Sequence, residues 1–369
     1  MIRCPYRAVA RHHGVVVGET TAAVRVDHGD RAPELWFPLD DVRGGEAAVV
    51  KGDGELAGFV AFADGIEIEL VDDRDSRAPV VTRFPNWGDA ADLIDILDVQ
   101  REPDNTWVGE TRGDWQRPVV EGSEILGKAV VAAMRASGGR RVVNANMFFL
   151  RAADAHQPVP IELRELTNGR TFTAYEATAA QNGRLCASGQ LLLDATASDV
   201  MRHTANAPEV PGPYDAEAFD MGVTGRELRV VDGAYTGDPD APVGPPVIDA
   251  WVRFGEVPND DAIHAGLLVQ FSGHMSIAAA LRPHAGVGQD QAHRTLSTAV
   301  NAINVSLHAN ARVDRWLLYR HLSTFAGDGM THSECRVHDE DGALIASFTN
   351  DCMVRGFATA AAGDYKSSM

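Results

Sequence analysis

The pattern of apolar and polar positions divides the chain near residue 89. Before that point, short apolar runs alternate with Gly and Asp-Gly turns, as in GVVVGETTAAVRV, ELWFPLDDV and GFVAFADGIEIELV. Short β-branched runs between turn residues are typical of small β-domains. Residues 1–85 are therefore predicted to form a small, mainly β domain. It contains no nucleophile constellation or phosphate-binding loop, so we interpret it as a structural or oligomerisation element.

The pattern from residue 89 onward begins with a helix and continues into strands. GDAADLIDILDV has apolar residues at helical spacing after an acidic start, which predicts an amphipathic helix. TWVGET alternates like a strand, and EGSEILGKAVVAAMRAS is a long, Ala-rich helical segment. The later strands meet at Asn168-Gly169 and Asn182-Gly183, and Asn-Gly is a strong hairpin signal. Residues 89–200 are therefore predicted to form one helix-plus-meander repeat.

The same order of elements returns after a connector over residues 201–226 that is rich in Pro and acidic residues. PVIDAWVRFG predicts a strand, DDAIHAGLLVQFSGHMSIAAALRPH a second long helix, and the alternating segments after it a second meander. This second repeat is assigned to residues 227–360, before a tail over 361–369, and it lies in element order rather than residue identity. Helices that are apolar on most faces are expected inside a curled sheet. The predicted fold class is therefore α+β, with two helix-plus-meander repeats preceded by the small mainly β domain.

Composition narrows the possible functions. The 369 residues are 45% hydrophobic and 23% charged, which is a globular profile. The net charge is −19, and no run of Lys or Arg forms a stripe that could neutralise nucleic-acid phosphates. No apolar run approaches the roughly 20 residues that span a bilayer, and the N-terminus has charges where a signal peptide needs an apolar core. We therefore expect a cytoplasmic protein without nucleic-acid or membrane partners.

The cysteines indicate neither a metal site nor a disulfide framework. They are scattered singly, with no CxxC pair and no histidine cluster at zinc spacing. We interpret them as buried single thiols. The four positions are Cys4, Cys186, Cys335 and Cys352.

Four segments carry a resemblance to a known family: RRVVNANMFFLRAAD, LTNGRTFTAYEATAAQNGR, RWLLYRHLSTFAG and DEDGALIASFTNDCMVR. The spacing from His308 to Trp316 and the motif from Asp341 to Ser347 are its most specific parts. Residues from about 89 to 358 resemble the acyl-CoA thioesterase II family, which implies a double hotdog that hydrolyses acyl thioesters. The N-terminal pieces Gly14 to Thr20 and Trp36 to Val42 resemble a small, uncharacterised β-rich domain family.

The resemblance also implies partners. The substrate is expected to be a small-molecule acyl thioester, with coenzyme A or phosphopantetheine as part of the substrate and no separate cofactor. An acyl carrier protein is a second candidate partner. Hotdog domains usually assemble further, so a homo-oligomer is expected.

The family's catalytic positions are all altered in this chain. The resemblance implies a water held by an Asp on the second helix, a Thr or Ser on the next strand and a Gln on the last strand. These positions fall on Gly273, Val300 and Asn350. His274 is adjacent to Gly273 but points about 100° away around a helix. Thr298 shares a strand face with Val300 and could restore the hydroxyl.

A replacement carboxylate is available at the first long helix. The family's GGQ at the start of this helix is GSE here, which places Glu124 at the position pseudo-symmetric to the lost Asp. Gly122 and Ser123 could offer free backbone N–H groups to a carbonyl oxygen. The alternative interpretation is that Glu124 is simply a favourable acid in a first helical turn.

Several asparagines lie on predicted strands, where asparagine is disfavoured. Asn144 and Asn146 occupy one strand, and Asn301 and Asn304 the equivalent strand of the second repeat. We expect them to line a polar pocket, because buried amides need hydrogen-bond partners that a ligand could provide. Arginines that are candidates for binding phosphates are Arg282, Arg312 and Arg320. His264 and His308 are interpreted as structural.

Three hypotheses follow from these features. In the first, an acyl thioester hydrolase uses Glu124 or His274 as base, while Thr298 and Asn350 orient water or substrate. In the second, the scaffold catalyses another reaction on an activated acid, such as dehydration, isomerisation or condensation. In the third, it binds acyl thioesters without turnover. The expected substrate-contacting residues are Gly122, Ser123, Gly273, Asn146, Asn301 and Asn304, and no metal is expected.

Overall fold

The computed structural model describes residues 1–28, 33–43, 49–63, 65–84, 88–111, 119–238 and 240–357. Within these ranges, the chain forms an N-terminal β region followed by two helix-and-meander repeats that share one long sheet. The shared sheet is what brings the two repeats, and their helices, together.

The N-terminal region consists of short antiparallel strands, as its alternating pattern predicts. In the described part, the strands form one sheet in the order β1-β4-β5-β7-β6 and another in the order β3-β2-β8-β9. Their apolar faces enclose a small core around Phe37, Val60 and Leu70. The strands are β1 Ile2–Arg3, β2 Arg7–His12, β3 Val15–Thr20, β4 Val24–Val26, β5 Glu34–Pro38, β6 Val49–Lys51, β7 Phe59–Phe62, β8 Glu67–Asp72 and β9 Val80–Phe84. Short 3₁₀ turns cover Leu39–Asp41 and Gly54–Leu56.

The first repeat contains the predicted amphipathic helix, the long Ala-rich helix and the meander. The amphipathic helix begins at Asp89, which forms a capping box with Asp92. The helices are α1 Ala90–Leu97 and α2 Gly122–Ala136. The strands are β10 Gln100–Arg101, β11 Thr106–Val108, β12 Val119–Val120, β13 Arg141–Phe149, β14 Ala153–Asp154, β15 Ile161–Asn168, β16 Phe172–Gln181 and β17 Arg184–Asp194.

The second repeat has the same order with a divided helix. Its helices are α3 Asp261–Phe271 and α4 Ser276–Leu281. Its strands are β18 Glu217–Ala218, β19 Arg226–Val230, β20 Val247–Phe254, β21 Leu296–Leu307, β22 Leu317–Gly327, β23 Met330–Asp339 and β24 Leu344–Gly356. Short 3₁₀ turns cover Val231–Gly233 and Gln289–Gln291.

One sheet of 13 described strands runs through both repeats in the order β10-β11-β15-β16-β17-β13-β21-β24-β23-β22-β20-β19-β18. The repeats join where β13 pairs antiparallel with β21, in a register that sets Asn146 opposite Asn304 and Met147 opposite Ile303. The helices lie against one face of the sheet, and their apolar side chains form a continuous core with the strands. This arrangement confirms the predicted α+β class with a small β region at the N-terminus.

The two central helices approach each other closely because glycines face each other. A Cβ on Gly127 of α2 would lie 2.9 Å from the carbonyl oxygen of Gly266 of α3. A Cβ on Gly266 would lie 2.7 Å from Val131 Cγ2. Any larger residue at either position would force the helices apart. The close crossing brings the N-terminus of α2 next to the C-terminal end of α3.

The prediction of a single second long helix was wrong. The chain leaves the helix after Phe271, and Met275 has a left-handed backbone with φ 66° before α4 begins at Ser276. A non-glycine residue rarely adopts this conformation. Ser272 also turns its hydroxyl back onto the carbonyl oxygen of Val269 at 2.6 Å, a bond that bends helices. The break lies directly opposite the N-terminus of α2.

Candidate active site

The candidate site is the α3–α4 junction, residues 270–276, together with the side chains that contact it. It lies between the N-terminus of α2 on one side and the inner face of β22–β24 on the other. It includes Gly273, the position where the resemblance places the family's missing Asp.

Ser123 fills the space that a side chain at position 273 would need. A Cβ built on Gly273 would lie 2.3 Å from Ser123 Oγ and 2.6 Å from Ser123 Cβ. These distances are far shorter than ordinary contacts of about 3.5–4.0 Å. Ser123 and a side chain at position 273 therefore exclude each other, and the glycine at 273 allows the serine at 123 to pack there.

A carboxylate, an amide and an imidazole meet beside this contact. Gln270 Nε2 donates to Glu121 Oε2 at 3.2 Å and lies 3.4 Å from His274 Nε2. His274 Nε2 is 3.7 Å from Glu121 Oε2. The imidazole and carboxylate side chains remain 13% and 18% exposed, so water reaches both. A carboxylate beside a histidine can stabilise the imidazolium that forms when the ring accepts a proton.

The sequence explains how these three side chains are brought together. Gln270 lies in the last turn of α3 and His274 in the junction that follows it, where Gln270 Nε2 lies 3.4 Å from His274 Nε2. Glu121 is the residue immediately before α2. The close Gly127–Gly266 crossing then sets Glu121 against Gln270.

Asn350 ties the junction to β24 from the other side. Its Nδ2 donates to the carbonyl oxygen of Ser272 and to Ser276 Oγ, both at 2.8 Å. An amide NH₂ has two donors, so both are engaged within the protein. Asn350 is fully buried, and its Oδ1 has no hydrogen-bond partner within the described structure. In this structure the amide holds the helix break in place.

A buried polar network continues behind Ser276. Ser276 Oγ lies 3.2 Å from His321 Nδ1, and Cys335 Sγ lies 3.3 Å from the same nitrogen. Burial lowers the pKa of His321 to about 3, with a smaller contribution from His274. Burial raises the pKa of the Cys335 thiol to about 12. The network is therefore uncharged near neutral pH and acts as a rigid support for the junction.

Glu124, the carboxylate predicted as a base, lies in the first turn of α2. Its Oε1 is 2.8 Å from the ammonium of Lys128, whose side chain is only 3% exposed. A buried cation is costly unless it is paired, so this contact compensates the charge of Lys128.

Gly122 packs closely against the Phe149 ring. A Cβ at this position would lie 2.7 Å from Phe149 Cγ.

The structure does not bring Thr298 to Asn350. Thr298 is buried on β21 opposite Val354 of β24, and Val300 is opposite Cys352. Val354 is four residues beyond Asn350, or about 13 Å along a strand at 3.3 Å per residue. The catalytic role predicted for Thr298 stays a prediction.

Three of the four asparagines lie on the outer face of the sheet, away from the junction. Ala145 and Met147 point into the core, and residues alternate across a strand, so Asn144 and Asn146 point outward. Asn144 Nδ2 donates to Asn304 Oδ1 at 3.0 Å. Asn144 and Asn304 therefore bond with each other on the outer face, and none of the three asparagines meets the residues around Gly273.

Asn301 differs from the other asparagines because it sits at a β-bulge between Val300 and Ala302. Its Oδ1 is buried without a hydrogen-bond partner in the described structure. The substrate contacts predicted for Asn146, Asn301 and Asn304 stay predictions.

The other polar residues singled out from the sequence are engaged within the protein. His264 Nδ1 accepts from the backbone N–H of Val313 at 3.2 Å, and burial lowers the His264 pKa. His308 Nε2 lies 2.5 Å from Ser347 Oγ. The arginine contacts are Arg282 with the Val247 carbonyl at 2.6 Å, Arg312 with Asp314 at 2.6 Å and Arg320 with Asp249 at 3.7 Å.

The sequence did not single out three residues that lie at or beside this site: Glu121, Gln270 and Arg226. Glu121 directly precedes the GSE motif, and Gln270 stands four residues before His274, so helical spacing offered a signal for Gln270. Arg226 is in phase with Leu228 and Val230 on a strand, which could have marked it as inward-pointing. Their assembly depends on the helix crossing, which the sequence pattern does not specify.

Among the described residues, no group of three or more His, Cys, Asp or Glu side chains could hold a metal ion. None of the helices in the described ranges is long and apolar enough to cross a membrane.

Comparison with protein families confirms the resemblance in both repeats. Residues 111–194 match the model of the acyl-CoA thioesterase N-terminal domain, and residues 203–354 match that of the C-terminal domain. The chain belongs to the acyl-CoA thioesterase family. Human acyl-coenzyme A thioesterase 8 is 26% identical over 263 residues, which cover 63% of this chain and 80% of the human protein.

Solved structures confirm the fold. The tesB protein of Mycobacterium avium subs paratuberculosis aligns with a TM-score of 0.61 at 23% identity, over 72% of this chain and 99% of that one. A protein with a hot dog fold from Alicyclobacillus acidocaldarius aligns with a TM-score of 0.57 at 16% identity, over 72% of this chain and 98% of that one. At these identities the likeness concerns the fold.

Proposed function

We propose that this protein hydrolyses acyl thioesters, carried on coenzyme A or phosphopantetheine, with a water activated by His274. The observation that carries this proposal is the Glu121–Gln270–His274 cluster. It lies beside Gly273, where the family's carboxylate is missing. Family membership supports the substrate class, and the cluster supplies a base with a carboxylate partner.

The proposed chemistry uses the imidazole as a proton carrier. His274 removes a proton from water as the water oxygen attacks the thioester carbonyl carbon. Glu121 stabilises the imidazolium that forms. When the tetrahedral intermediate collapses, the carbon–sulfur bond breaks and the imidazolium returns the proton to the leaving thiolate. The products are a carboxylic acid and a free thiol.

The start of α2 supports the developing oxyanion in this proposal. The first N–H groups of a helix are not used by the helix itself, and they favour negative charge. Gly122 and Ser123 open α2 beside Glu121, so their N–H groups are the donors we propose for the carbonyl oxygen. Such donors are worth about 10²–10³ in kcat in enzymes that use them.

Glu124 remains a second candidate for the base, and matched variants separate it from His274. Thiol release would be measured across short, medium and aromatic acyl-CoAs for the wild type, His274→Gln, Glu121→Gln and Glu124→Gln. General-base catalysis contributes about 10²–10⁴-fold, so His274→Gln should lose that much in kcat. Glu121→Gln should lose less, and Glu124→Gln should change kcat little because its carboxylate serves Lys128.

The loss of kcat in each variant decides which residue acts as the base. Full activity in His274→Gln would refute its role as base. Loss confined to Glu124→Gln would move the base to that residue. Thermal unfolding of each variant would show whether a loss reflects unfolding, and Glu124→Gln is the variant most exposed to this effect because it leaves Lys128 buried and unpaired.

A non-catalytic acyl-thioester binder is the second candidate function. The observation that favours it is the combination of Gly273, which has no carboxylate, with Asn350, whose amide donors are engaged internally. Tight acyl-CoA binding without thiol release would support this candidate. A product other than the free acid would instead indicate dehydration, isomerisation or condensation.

A further inference from the structure

A buried arginine without an ion-pair partner lies beside the candidate active site. Arg226 is the first residue of β19 and shares the inner face of the sheet with Leu228 and Val230. It is only 6% exposed. Arginine is almost never buried unless it is paired. Within the described ranges, its guanidinium makes no ion pair and donates no hydrogen bond.

The surroundings place this guanidinium in the same site as His274. Its Cζ lies 5.3 Å from the centre of the Phe271 ring. The Phe271 ring in turn lies 5.0 Å from the His274 ring and 4.9 Å from the Tyr319 ring. Phe271 is therefore a shared neighbour of the cation and the proposed base. Burial lowers the pKa of Arg226 to about 10, with Glu121 the largest opposing influence, so the group stays charged near neutral pH.

The N-terminal domain holds the turn from which Arg226 extends. Gly225 has a φ of 81°, and a Cβ there would lie 2.0 Å from Tyr6 Oη of the N-terminal domain. The carbonyl oxygen of Gly225 accepts from Gly255 N at 2.8 Å and from Arg74 Nη2 at 3.4 Å. The outward-facing neighbour Arg229 donates to the carbonyl of Ala78 at 3.0 Å. These contacts fix the direction of Arg226 while leaving its guanidinium free to bind.

We infer that Arg226 binds the terminal carboxylate of a short dicarboxylic acyl thioester, which makes such thioesters the substrates of the site proposed above. A guanidinium offers parallel N–H donors that match a carboxylate in a bidentate manner. Arg226 and His274 are both neighbours of the Phe271 ring, so in this proposal the reacting carbonyl binds at His274 and the terminal carboxylate at Arg226. A coenzyme A diphosphate carries more charge than one buried guanidinium can neutralise, and it needs an open surface.

This inference rests on the proposed function for its site, but a binding measurement tests it without turnover. The probes are analogues of glutaryl-CoA in which a methylene replaces the thioester sulfur, in two forms. One ends in a carboxylate, and the other ends in a neutral amide of the same length. Calorimetry gives the dissociation constant of each form for the wild type, Arg226→Met, Arg226→Lys and the control Arg164→Gln, which removes an exposed cation paired with Glu176.

The wild type should prefer the carboxylate form by about 10- to 100-fold, the usual range for hydrogen bonds to charged groups. Arg226→Met should abolish the preference, Arg226→Lys should retain part of it, and Arg164→Gln should retain all of it. Arg226→Met should also keep or raise the melting temperature, because replacing an unpaired buried charge by an apolar chain is neutral or stabilising. A structural role for Arg226 predicts the opposite change in melting temperature.

Three results would overturn the inference. They are equal binding of the two analogues by the wild type, a preference that survives Arg226→Met, and no binding of either analogue. A carboxylate preference in a protein that releases no thiol from glutaryl-CoA would refute the proposed hydrolysis and leave the anion site intact. The two ideas can therefore fail separately.

Discussion

The contact between Gly273 and Ser123 can be tested by a double-mutant cycle. Adding a methyl group with Gly273→Ala places a Cβ 2.3 Å from Ser123 Oγ and 2.6 Å from Ser123 Cβ. Both distances fall about 1 Å or more short of an ordinary contact. Because the Ser123 Cβ is fixed to the helix, rotating the hydroxyl cannot remove the overlap. Overpacking of this kind costs about 1–3 kcal/mol.

The sign of the effect should reverse when Ser123 is removed. Gly273 has no left-handed backbone angle, so alanine is allowed there and restricts the unfolded chain, which stabilises by about 0.4–1 kcal/mol. Gly273→Ala should therefore destabilise the wild type and stabilise Ser123→Gly. The coupling between the two positions should be about 1–3 kcal/mol, within the range for residues in contact.

The assay is thermal unfolding of the four proteins in the cycle, where about 2–4 °C corresponds to 1 kcal/mol for units of 150–250 residues. Ser123→Ala is the control background, because it keeps the Cβ and should keep the penalty. Additive effects, or a wild type that tolerates Gly273→Ala, would refute the conclusion that Ser123 occupies the space that a side chain at position 273 would need.

Three further predictions concern stability. Asn350→Leu should lower the free energy of unfolding by about 1–3 kcal/mol, because it leaves the buried Ser272 carbonyl without its hydrogen-bond donor. The same change at Asn304 on the outer face should cost little. Equal costs in thermal unfolding would contradict the role of Asn350. Burial and Asp92 raise the pKa of Asp89 to about 6, so the stability that it contributes is lost as pH rises from its ordinary value of about 4 to about 6. The melting temperature of Asp89→Asn should gain on that of the wild type across this window and stay level above it, and a difference that does not change within the window would count against this. Gly255→Ala would set a Cβ 1.5 Å from Arg74 Nη1, so it should displace the Arg74 guanidinium from the Gly225 carbonyl and expose the N-terminal domain to protease. Gly356→Ala, which has open space around it, should not, and equal cleavage rates would contradict the interface.

The elements that depend on local pattern were predictable from the sequence. The Ala-rich α2 and the hairpin at Asn182-Gly183, where both residues have positive φ, follow from propensity and turn chemistry. The division of the second helix was not predicted, although Ser272 and Gly273 offered a weak signal. The break depends on a bond from Asn350, 78 positions along the chain, and such contacts leave no periodic trace.

The candidate site was predictable only in part. The family resemblance directed attention to position 273 and to His274, which lies at the junction. Glu124 was predicted and Glu121 overlooked, because motif position alone cannot show that Lys128 engages one carboxylate and Gln270 the other. Arg226 was overlooked because a lone arginine on a strand is usually exposed, and its burial depends on the packing of β19 against Phe271.

The central claim is that water activated at the α3–α4 junction hydrolyses an acyl thioester. The most direct measurement is the mass of the product formed from acyl-CoAs in ¹⁸O-labelled water, for the wild type and His274→Gln. The account predicts a free acid carrying one labelled oxygen with the wild type, and a loss of at least about 100-fold in its rate of formation with His274→Gln. No labelled acid from the wild type, or an unchanged rate in His274→Gln, would contradict it.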